Sequence, residues 1–328
     1  IRDSYMDWLA TTDLSGPNAT YGDWLAYEPT DARYISVAYY ALDARYMAAM
    51  SRAIDRADRA AHYDSLFEQV RDHFRRIYCN AEGDLNPEVR TQTGYLLALR
   101  NDLLLPERRP AAVAALKQKI IDNGYKLSTG FVGSCILNEV LAEFGENDLA
   151  YSLLLQTENP SWLYSVHQGA TTIWERWNSY TKETGFGDVG MNSFNHYAYG
   201  AVQEWMYRHI AGSETTEQAP GFAHPILQPK PDTRSAEEIP AGQEKITWVR
   251  TSFASPVGLI ESAWDMTDGF TYTCRVPVAA TLHLPLIGNA ETLVINGVAH
   301  KPDEFRLCPV GKGVTIELAP GAYTIEQK

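Results

Sequence analysis

The stretch Leu66-Phe-Glu-Gln-Val-Arg-Asp-His-Phe-Arg-Arg-Ile77 shows the pattern that decides the fold class of most of this chain. Its apolar side chains at Leu66, Val70, Phe74 and Ile77 recur at steps of three and four residues. Residues at this spacing share one face of an α-helix, because each helical turn takes about 3.6 residues. The stretch therefore predicts an amphipathic helix with one buried face.

Comparable periodicity extends on both sides of this stretch. It predicts further helices at 34–50, 90–103, 113–120, 132–144, 146–157 and 193–211, with a short one at the very start of the chain. Residues 1–212 are thus expected to form a helical domain of roughly seven helices. The loops 122–131 and 158–192 are long for a compact helical domain, and long ordered loops on such a scaffold commonly carry function.

The periodicity changes beyond Phe222. Apolar and polar residues alternate at 270–276, 282–286 and 314–318, which is typical of strands with one buried face. Asn296-Gly297 predicts a tight hairpin turn, because both residues tolerate a positive φ. The prolines at 220, 225, 229 and 231 favour a stiff connector. We therefore expect a proline-rich connector at 213–232 and an antiparallel β domain at 233–328.

The composition argues against several classes of partner. The 328 residues carry a formal net charge of -13, which disfavours nucleic acid and anionic membranes because both attract a basic surface. No run approaches the roughly 20 apolar residues needed to span a bilayer. The four cysteines are widely spaced and predict neither a Cys-x-x-Cys metal pair nor a disulfide framework. A neutral ligand is expected, with no metal ion and no cofactor.

The run Gly169-Ala-Thr-Thr-Ile-Trp-Glu-Arg-Trp177 holds the first candidate for chemistry. Glu175 lies between Trp174 and Trp177, and a carboxylate beside aromatic faces is how proteins commonly handle sugars. Such a glutamate can act as a general base, with the indole rings modifying its surroundings. The residue types alone favour a structural ion pair of Glu175 with Arg176 or Lys182 beneath packed tryptophans.

Two further residues are candidates with a structural alternative. His196, expected at the start of the helix 193–211, could donate a hydrogen bond to a sugar hydroxyl or be a core histidine with internal partners. Trp24, in Tyr21-Gly-Asp-Trp-Leu25, could be a stacking platform for a sugar or an ordinary hydrophobic anchor. The chain lacks the Gly-x-Ser-x-Gly, Walker, His-Glu-x-x-His and Gly-x-Gly-x-x-Gly motifs, which disfavours the corresponding hydrolase, nucleotide and zinc-protease sites.

A series of short blocks resembles the C-terminal part of bacterial α-L-rhamnosidases of glycoside hydrolase family 78. The blocks are 22–25, 91–95, 129–133, 149–155, 160–162, 169–177 and 192–200, and their order and spacing match over nearly the whole chain. The resemblance implies a mainly α protein with a β domain, in which residues 1–212 form part of an (α/α)6 barrel that lacks its N-terminal portion. A C-terminal antiparallel β-sandwich at 233–328 would follow.

The same resemblance implies roles for individual residues. The glutamate of the family's Trp-Glu-Arg-Trp block is the general base of an inverting hydrolysis, and it corresponds to Glu175. The rhamnose-contacting histidine corresponds to His196, and the tryptophan of the Gly-Asp-Trp-Leu block, which lies beside the sugar, to Trp24. Asp23, Trp174 and Trp177 complete the expected substrate-binding set. The expected partner is a rhamnose-containing carbohydrate, and catalysis in this family needs no metal or cofactor.

The family's general acid lies in an Asp-Glu-Arg-x-Gly-Trp type of block that this chain does not contain. We therefore expect the chain to hydrolyse rhamnosides weakly or not at all, and to self-associate through the apolar face of its incomplete barrel. Since the chain begins at Ile1 rather than methionine, a cut N-terminus is expected. The alternative is an acid-less remnant with a sugar-binding or structural role. Cellular location stays open, with a periplasmic or secreted one favoured over the cytoplasm.

Overall fold

A computed structural model describes residues 21–309 and 311–328. The short helix predicted at the very start of the chain lies outside the described residues. The chain divides into two compact units, of which the first ends at Ala201 and the second runs from Val202 to Lys328. The helical elements precede the extended sheets along the chain, so the predicted mainly α protein with a C-terminal β domain is confirmed.

Seven α-helices lie in the described part of the first unit. They are α1 Ala32–Ala53, α2 Ala57–Tyr78, α3 Gln92–Arg100, α4 Arg109–Asp122, α5 Phe131–Glu143, α6 Asn147–Leu154 and α7 Trp162–His167. Short 3-10 turns cover Pro87–Val89, Pro106–Arg108 and Ala198–Ala201, and a small hairpin pairs β1 (Tyr180–Thr181) with β2 (Gly185–Phe186). Helix α7 lies inside the segment 158–192 that was predicted as a loop.

The first six helices pack as three successive hairpins. Helix α1 contacts α2, α3 contacts α4 and α5 contacts α6, while α3 also packs against both α1 and α5. Side chains cap the N-termini of α1 and α3: Asp31 accepts from the backbone of Arg33 and Tyr34, and Thr91 accepts from Gly94 N. The hydroxyls of Thr30 and Thr91 lie 2.5 Å apart. The N-termini of α1 and α3 therefore meet at one end of the unit.

The final helical segment begins later than the sequence predicts. Residues 193–197 form a loop, and the chain then passes through the 3-10 turn Ala198–Ala201, α8 (Val202–Trp205) and a π turn at Met206–Ile210. The N–H groups of Ser193 and His196 donate to the segment around Glu175. In a helix the carbonyl of Ser193 would accept from the N–H of residue 197, but here it accepts from Glu175 N. The predicted start at 193 was therefore wrong by five residues.

The second unit contains two sheets. Its strands are β3 Ser213–Glu214, β4 Ile226–Leu227, β5 Trp248–Ser255, β6 Gly258–Asp265, β7 Thr271–Val276, β8 Ala280–Pro285, β9 Leu293–Ile295, β10 Val298–His300, β11 Arg306–Leu307, β12 Gly313–Leu318 and β13 Gly321–Gln327. One sheet has the order β10-β9-β13-β7-β6-β5, and the other has the order β11-β12-β8-β4-β3. The pairing of β4 with β8 is parallel. The segment 213–232, predicted as a connector, thus contributes β3 and β4 to a sheet.

Alternation of buried and exposed residues explains the first sheet. In β7, Tyr272, Cys274 and Val276 are buried while the residues between them face outward. The predicted hairpin joins β9 to β10, with Asn296 at φ 48° and Gly297 at φ 85°. Both residues lie in the left-handed region that a type I′ turn requires, so this prediction is confirmed.

A buried histidine makes the stability of the second unit depend on pH. His209 is 7% exposed, and its Nδ1 lies 3.0 Å from the Lys230 ammonium. Burial lowers the pKa of His209 to about 3, and the charges of Lys230 and Arg208 act in the same direction. An unfolded chain binds a proton at this residue below a pH of about 6.5. Between about pH 3 and pH 6.5, the folded protein therefore leaves His209 unprotonated while the unfolded chain protonates it.

We expect the free energy of unfolding to fall as the pH decreases from about 6.5 towards 3, because only the unfolded state gains the proton in this window. The loss should be about 1.6 kcal/mol between pH 6.5 and pH 5. His209→Gln should flatten this slope, and His62→Gln, at an exposed histidine, should leave it unchanged. Denaturant titrations at both pH values measure the difference. Equal slopes for the original chain and His209→Gln would contradict the assignment.

Candidate active site in the first unit

The candidate residues Glu175 and His196 are held by two paired loop segments. Glu175 N donates to Ser193 O over 2.9 Å, and His196 N donates to Ile173 O over 2.9 Å. These two bonds run in opposite directions between segments 173–175 and 193–196, so they set both the spacing and the alignment of the segments. The structure thereby brings together two residues that are 21 positions apart in the chain.

The carboxylate of Glu175 is oriented by one backbone donor. Its Oε2 accepts a hydrogen bond from Ser193 N over 2.8 Å, and the side chain is half-buried. Across residues 21–309 and 311–328, no cation lies within 4.0 Å of this carboxylate, so neither Arg176 nor Lys182 forms the alternative ion pair. In the same residues Oε1 has no hydrogen-bond partner. One oxygen is therefore fixed, and the other can accept a proton.

The tautomer of His196 follows from its local contacts. Ala198 N donates to Nδ1 over 3.3 Å, so in the neutral ring Nδ1 is the acceptor and Nε2 carries the hydrogen. The ring stacks on Phe131 with centroids 5.0 Å apart and on Tyr197 at the same separation. These contacts fix the ring plane and leave Nε2–H as the donor that a ligand could use.

Asp23 joins the turn that carries Trp24 to the start of α5. Its Oδ2 accepts from Gly130 N over 2.8 Å and also from the Thr93 hydroxyl, and its Oδ1 accepts from Val132 N and Gly133 N over 2.8 and 3.1 Å. The side chain is 6% exposed. Burial raises the pKa of the Asp23 carboxyl, while these donors act against that increase. Asp23 therefore caps α5, where a negative charge is favourable.

Close packing of backbone against backbone fixes the position of Trp24. Phe131 N donates to Trp24 O over 3.0 Å. A Cβ added at Gly130 would lie 2.1 Å from Trp24 O and 2.5 Å from Asp23 O, so this approach requires a glycine. Trp24 is half-buried, and Tyr21 packs edge-on against it at 5.3 Å. Phe131 thus links two candidate residues: its backbone N–H bonds to Trp24 O, and its ring stacks on His196.

The side chains of Trp174 and Trp177 are buried. They are 8% and 6% exposed. Trp177 donates through Nε1 to Thr129 O over 2.9 Å and stacks on Tyr199, with ring centroids 3.8 Å apart and an interplanar angle of 17°. Trp174 packs edge-on against Phe194 at 5.2 Å. Both indoles hold the Glu175 segment against its neighbours, and their direct contact with a sugar stays a prediction.

Three residues that organise the site were not among the residues predicted for it. Ser193 orients the carboxylate of Glu175, Phe131 supports His196, and Tyr199 stacks on Trp177. The blocks 129–133 and 192–200 contain all three, so the resemblance already pointed to their segments. Nothing in the residue types identified their roles, because each role depends on a contact between segments distant in sequence.

The described residues give no indication of a metal centre or a membrane span. In residues 21–309 and 311–328, no three His, Cys, Asp or Glu side chains cluster in a way that could hold a metal ion. Within the same part of the chain, every helix is too short or too polar to cross a membrane.

Family models match both parts of the sequence. Residues 2–210 match the bacterial alpha-L-rhamnosidase 6 hairpin glycosidase domain. Residues 214–298 match the bacterial alpha-L-rhamnosidase C-terminal domain. The three helical hairpins of the first unit and the sheets of the second agree with these two descriptions.

Curated relatives carry the same name. An alpha-L-rhamnosidase of Formosa agariphila is 39% identical over 295 residues, which cover 89% of this chain and 30% of that protein. Another, from Streptomyces avermitilis, is 38% identical over 270 residues, covering 82% of this chain and 25% of that protein. The chain thus spans less than a third of the length of these relatives.

Solved structures of alpha-L-rhamnosidases share the fold. The Streptomyces avermitilis enzyme complexed with L-rhamnose is 33% identical, with a TM-score of 0.82 over 100% of this chain and 30% of that one. The enzyme described as from Dictyoglumus thermophilum is 25% identical, with a TM-score of 0.82 over 100% of this chain and 36% of that one. These matches confirm the predicted partial (α/α)6 barrel with a β domain. The chain belongs to the bacterial α-L-rhamnosidase family.

Proposed function

We propose that this chain provides the water-activating half of an inverting α-L-rhamnosidase, which releases terminal α-L-rhamnosyl residues from glycosides or polysaccharides. The single observation that carries the proposal is the state of Glu175, whose Oε2 is fixed by Ser193 N at 2.8 Å while Oε1 is unpaired in the described part of the chain. A base in such a reaction needs a fixed direction and one open oxygen.

In the proposed reaction Glu175 removes a proton from water as the water oxygen bonds to C1 of rhamnose. The bond from C1 to the aglycone oxygen breaks on the opposite face, and that oxygen takes a proton from a general acid. The base and the acid of inverting enzymes stand roughly 6.5–9.5 Å apart, which leaves room for the water. Attack and departure on opposite faces invert the anomeric centre.

The remaining candidate residues suit recognition of the sugar. His196 can donate through Nε2–H to a ring hydroxyl, because Ala198 N occupies Nδ1. Trp24 is half-buried and held by the turn that Asp23 anchors, so its indole can take the C–H face of a sugar. Asp23 acts on the site through this turn, since four donors already occupy its two oxygens.

The proposal assigns the general acid to residues outside this chain. The family's acid-bearing block does not occur in residues 1–328, and loss of a positioned acid typically lowers a rate by about 10²- to 10⁴-fold. A version of the protein extended upstream to include such a block should recover this factor on an aryl α-L-rhamnoside. A bare chain as active as the extended version would contradict the assignment.

The dependence on the leaving group provides a second test. We expect the chain to hydrolyse 2,4-dinitrophenyl α-L-rhamnopyranoside detectably faster than background, and 4-methoxyphenyl α-L-rhamnopyranoside at the background rate. Dinitrophenolate departs without protonation, whereas a methoxyphenol needs an acid. Released phenol measures both rates. Background rates for both substrates would favour the alternative role, a sugar-binding or structural module without hydrolysis.

The predicted self-association has a candidate surface on α1. Several large side chains recur along this helix and its C-terminal end, and all are exposed: Tyr39, Tyr46, Met47, Met50 and Ile54. Residues spaced by four and seven positions share one helix face, so they form a continuous apolar stripe. We propose that two copies of the chain pair through this stripe.

Sedimentation equilibrium tests this pairing. Met50→Lys should weaken it by tenfold or more, because a charge would be buried at its centre. Ile77→Lys, at an exposed residue of α2, is the matched control and should have little effect. If the original chain sedimented as a monomer at all concentrations used, the pairing would be refuted.

A further inference from the structure

The outward face of the six-stranded sheet carries a cluster that the proposed reaction does not use. The register places Trp248 opposite Asp265 and Asp265 opposite Thr271, and it places Arg250 opposite Ala263 and Ala263 opposite Thr273. Since side chains alternate along strands, these two rows lie on one face. The intervening residues Ser262, Trp264 and Tyr272 are buried on the other face.

Trp248 is unusual among the tryptophans of the chain. It is 57% exposed, and in residues 21–309 and 311–328 it is the only tryptophan among the exposed large hydrophobic side chains. The Arg250 guanidinium carbon lies 5.7 Å from its ring centroid, a cation–π contact that orients the indole. An oriented, exposed indole offers a flat apolar surface to a ligand.

A hollow of about 330 Å³ is lined by Arg250 and Asp265, which are the cation–π partner and the cross-strand neighbour of Trp248. Trp248 itself does not line the hollow. Its lining combines the small residues Ala263 and Gly269 with charged and hydroxyl groups, among them Arg250, Asp265, Thr267 and Asp268. Ligand sites are commonly concave with a few polar groups, and a volume near 300 Å³ is at the small end of their range. The hollow is thus of a size for one or two sugar rings rather than a protein segment.

The polar groups around the hollow are oriented and partly available. Asp265 Oδ1 accepts from Thr267 N over 2.8 Å, which fixes the carboxylate and lowers the pKa of Asp265, so that it is an ionised acceptor. In the described part of the chain, no carboxylate lies within 4.0 Å of the Arg250 guanidinium. Its N–H groups can therefore donate to a ligand.

The chemistry favours a neutral, hydroxylated ligand over other classes. One guanidinium and the two carboxylates of Asp265 and Asp268 give the hollow no excess of positive charge that would attract phosphate. An apolar peptide would leave these charged groups desolvated without partners. A pyranose presents a C–H face to Trp248, and its hydroxyls both donate and accept.

We propose that Trp248, Arg250 and Asp265 form a second carbohydrate site, on the outer face of the six-stranded sheet, which binds a pyranose ring of a neutral glycan. The sugar stacks on the indole of Trp248, Arg250 donates to its hydroxyls and Asp265 accepts from them. The site lies in the second unit, whereas Glu175 belongs to the first. It needs no catalytic role, so the proposal stands whether or not the chain hydrolyses rhamnosides. Its effect is to hold a polymeric substrate near the protein.

Saturation-transfer NMR with three neutral probes tests the site: methyl α-L-rhamnopyranoside, methyl α-D-mannopyranoside and methyl β-D-galactopyranoside. At least one probe should show saturation transfer from the original chain and also from the Trp24→Ala variant. Trp248→Ala should weaken its binding about tenfold or more, while Trp248→Tyr, which keeps an aromatic face, should retain most of it. Trp248→Ala should also leave hydrolysis of the dinitrophenyl rhamnoside unchanged, because Trp248 is not part of the proposed reaction site.

Two results would overturn the proposal. The first is that every probe binds Trp248→Ala as it binds the original chain, or that no probe binds either protein. The thermal transition of Trp248→Ala must show that this variant is folded. The second is that Trp248→Ala changes the oligomeric state in sedimentation and leaves sugar binding intact, which would make the face a protein contact. Thr324→Ala, on the same sheet face but outside the hollow, is the matched control and should leave sugar binding unchanged.

Discussion

Replacing Glu175 with glutamine should lower the kcat of the chain on 2,4-dinitrophenyl α-L-rhamnopyranoside by about 10²- to 10⁴-fold, which brings the reaction to the uncatalysed rate. Glutamine has the same shape and can still accept the hydrogen bond from Ser193 N, so the loop should keep its structure. It cannot take a proton from water. The loss should therefore appear in kcat, with KM little changed.

Glu183→Gln is the matched control for this experiment. Glu183 lies eight positions further along the same loop region and is exposed, so its removal should leave the rate unchanged. Glu175→Ala should regain activity with azide, which needs no base, and the product should be the β-L-rhamnosyl azide. A loss smaller than tenfold in Glu175→Gln, or an α-configured azide product, would contradict the role of Glu175 as the base of an inverting reaction.

Replacing Arg234 with methionine should destabilise the second unit by about 3–5 kcal/mol. The side chains of Arg234 and Asp232 are 1% and 0% exposed, and they form a two-pronged pair at 2.9 and 2.7 Å. Arg234 also donates to the Gln243 side chain and to Glu244 O. Methionine fills similar space but leaves the Asp232 carboxylate buried without its cation, which is the costly half of the change.

Denaturant unfolding of three variants measures this effect. Arg234→Met alone should show the full loss, and Asp232→Asn combined with Arg234→Met should recover part of it, because no buried charge then remains. Arg275→Met is the matched control: its ion pair with Glu261 has side chains that are 58% and 44% exposed, and exposed pairs contribute about 0–1 kcal/mol. If Arg234→Met cost no more than Arg275→Met, the buried pair would have no special role in stability.

Local patterns predicted the elements whose stability depends on local spacing. Helix α2 spans Ala57–Tyr78, around the stretch 66–77 from which it was predicted, because its buried side chains follow the helical repeat. The hairpin at Asn296-Gly297 formed as predicted, since positive φ values are a property of those two residue types. In both cases the information lies within a few residues.

Elements that depend on distant partners were predicted less well. Residues 193–197 were predicted as helical but form a loop, because the Ser193 carbonyl accepts from Glu175 N instead of from a donor one helical turn later. The strands β3 and β4 are two residues long, and β4 lies between Pro225 and Pro229, so nothing in their own pattern predicts their pairing. The parallel partner of β4 is β8, more than fifty positions later in the chain. Such contacts are chosen by the packed fold, not by local propensity.

By itself, the sequence determined that this protein has a helical part followed by a β part, and that Glu175, His196 and Trp24 lie in blocks resembling those of α-L-rhamnosidases. Only the tertiary structure decided which groups hold these side chains in place. It shows Asp23 capping α5, more than a hundred positions away, and Ser193 directing one oxygen of Glu175. The physical reason is that a side chain's role depends on which donors its oxygens meet, and those donors come from segments that only folding brings together.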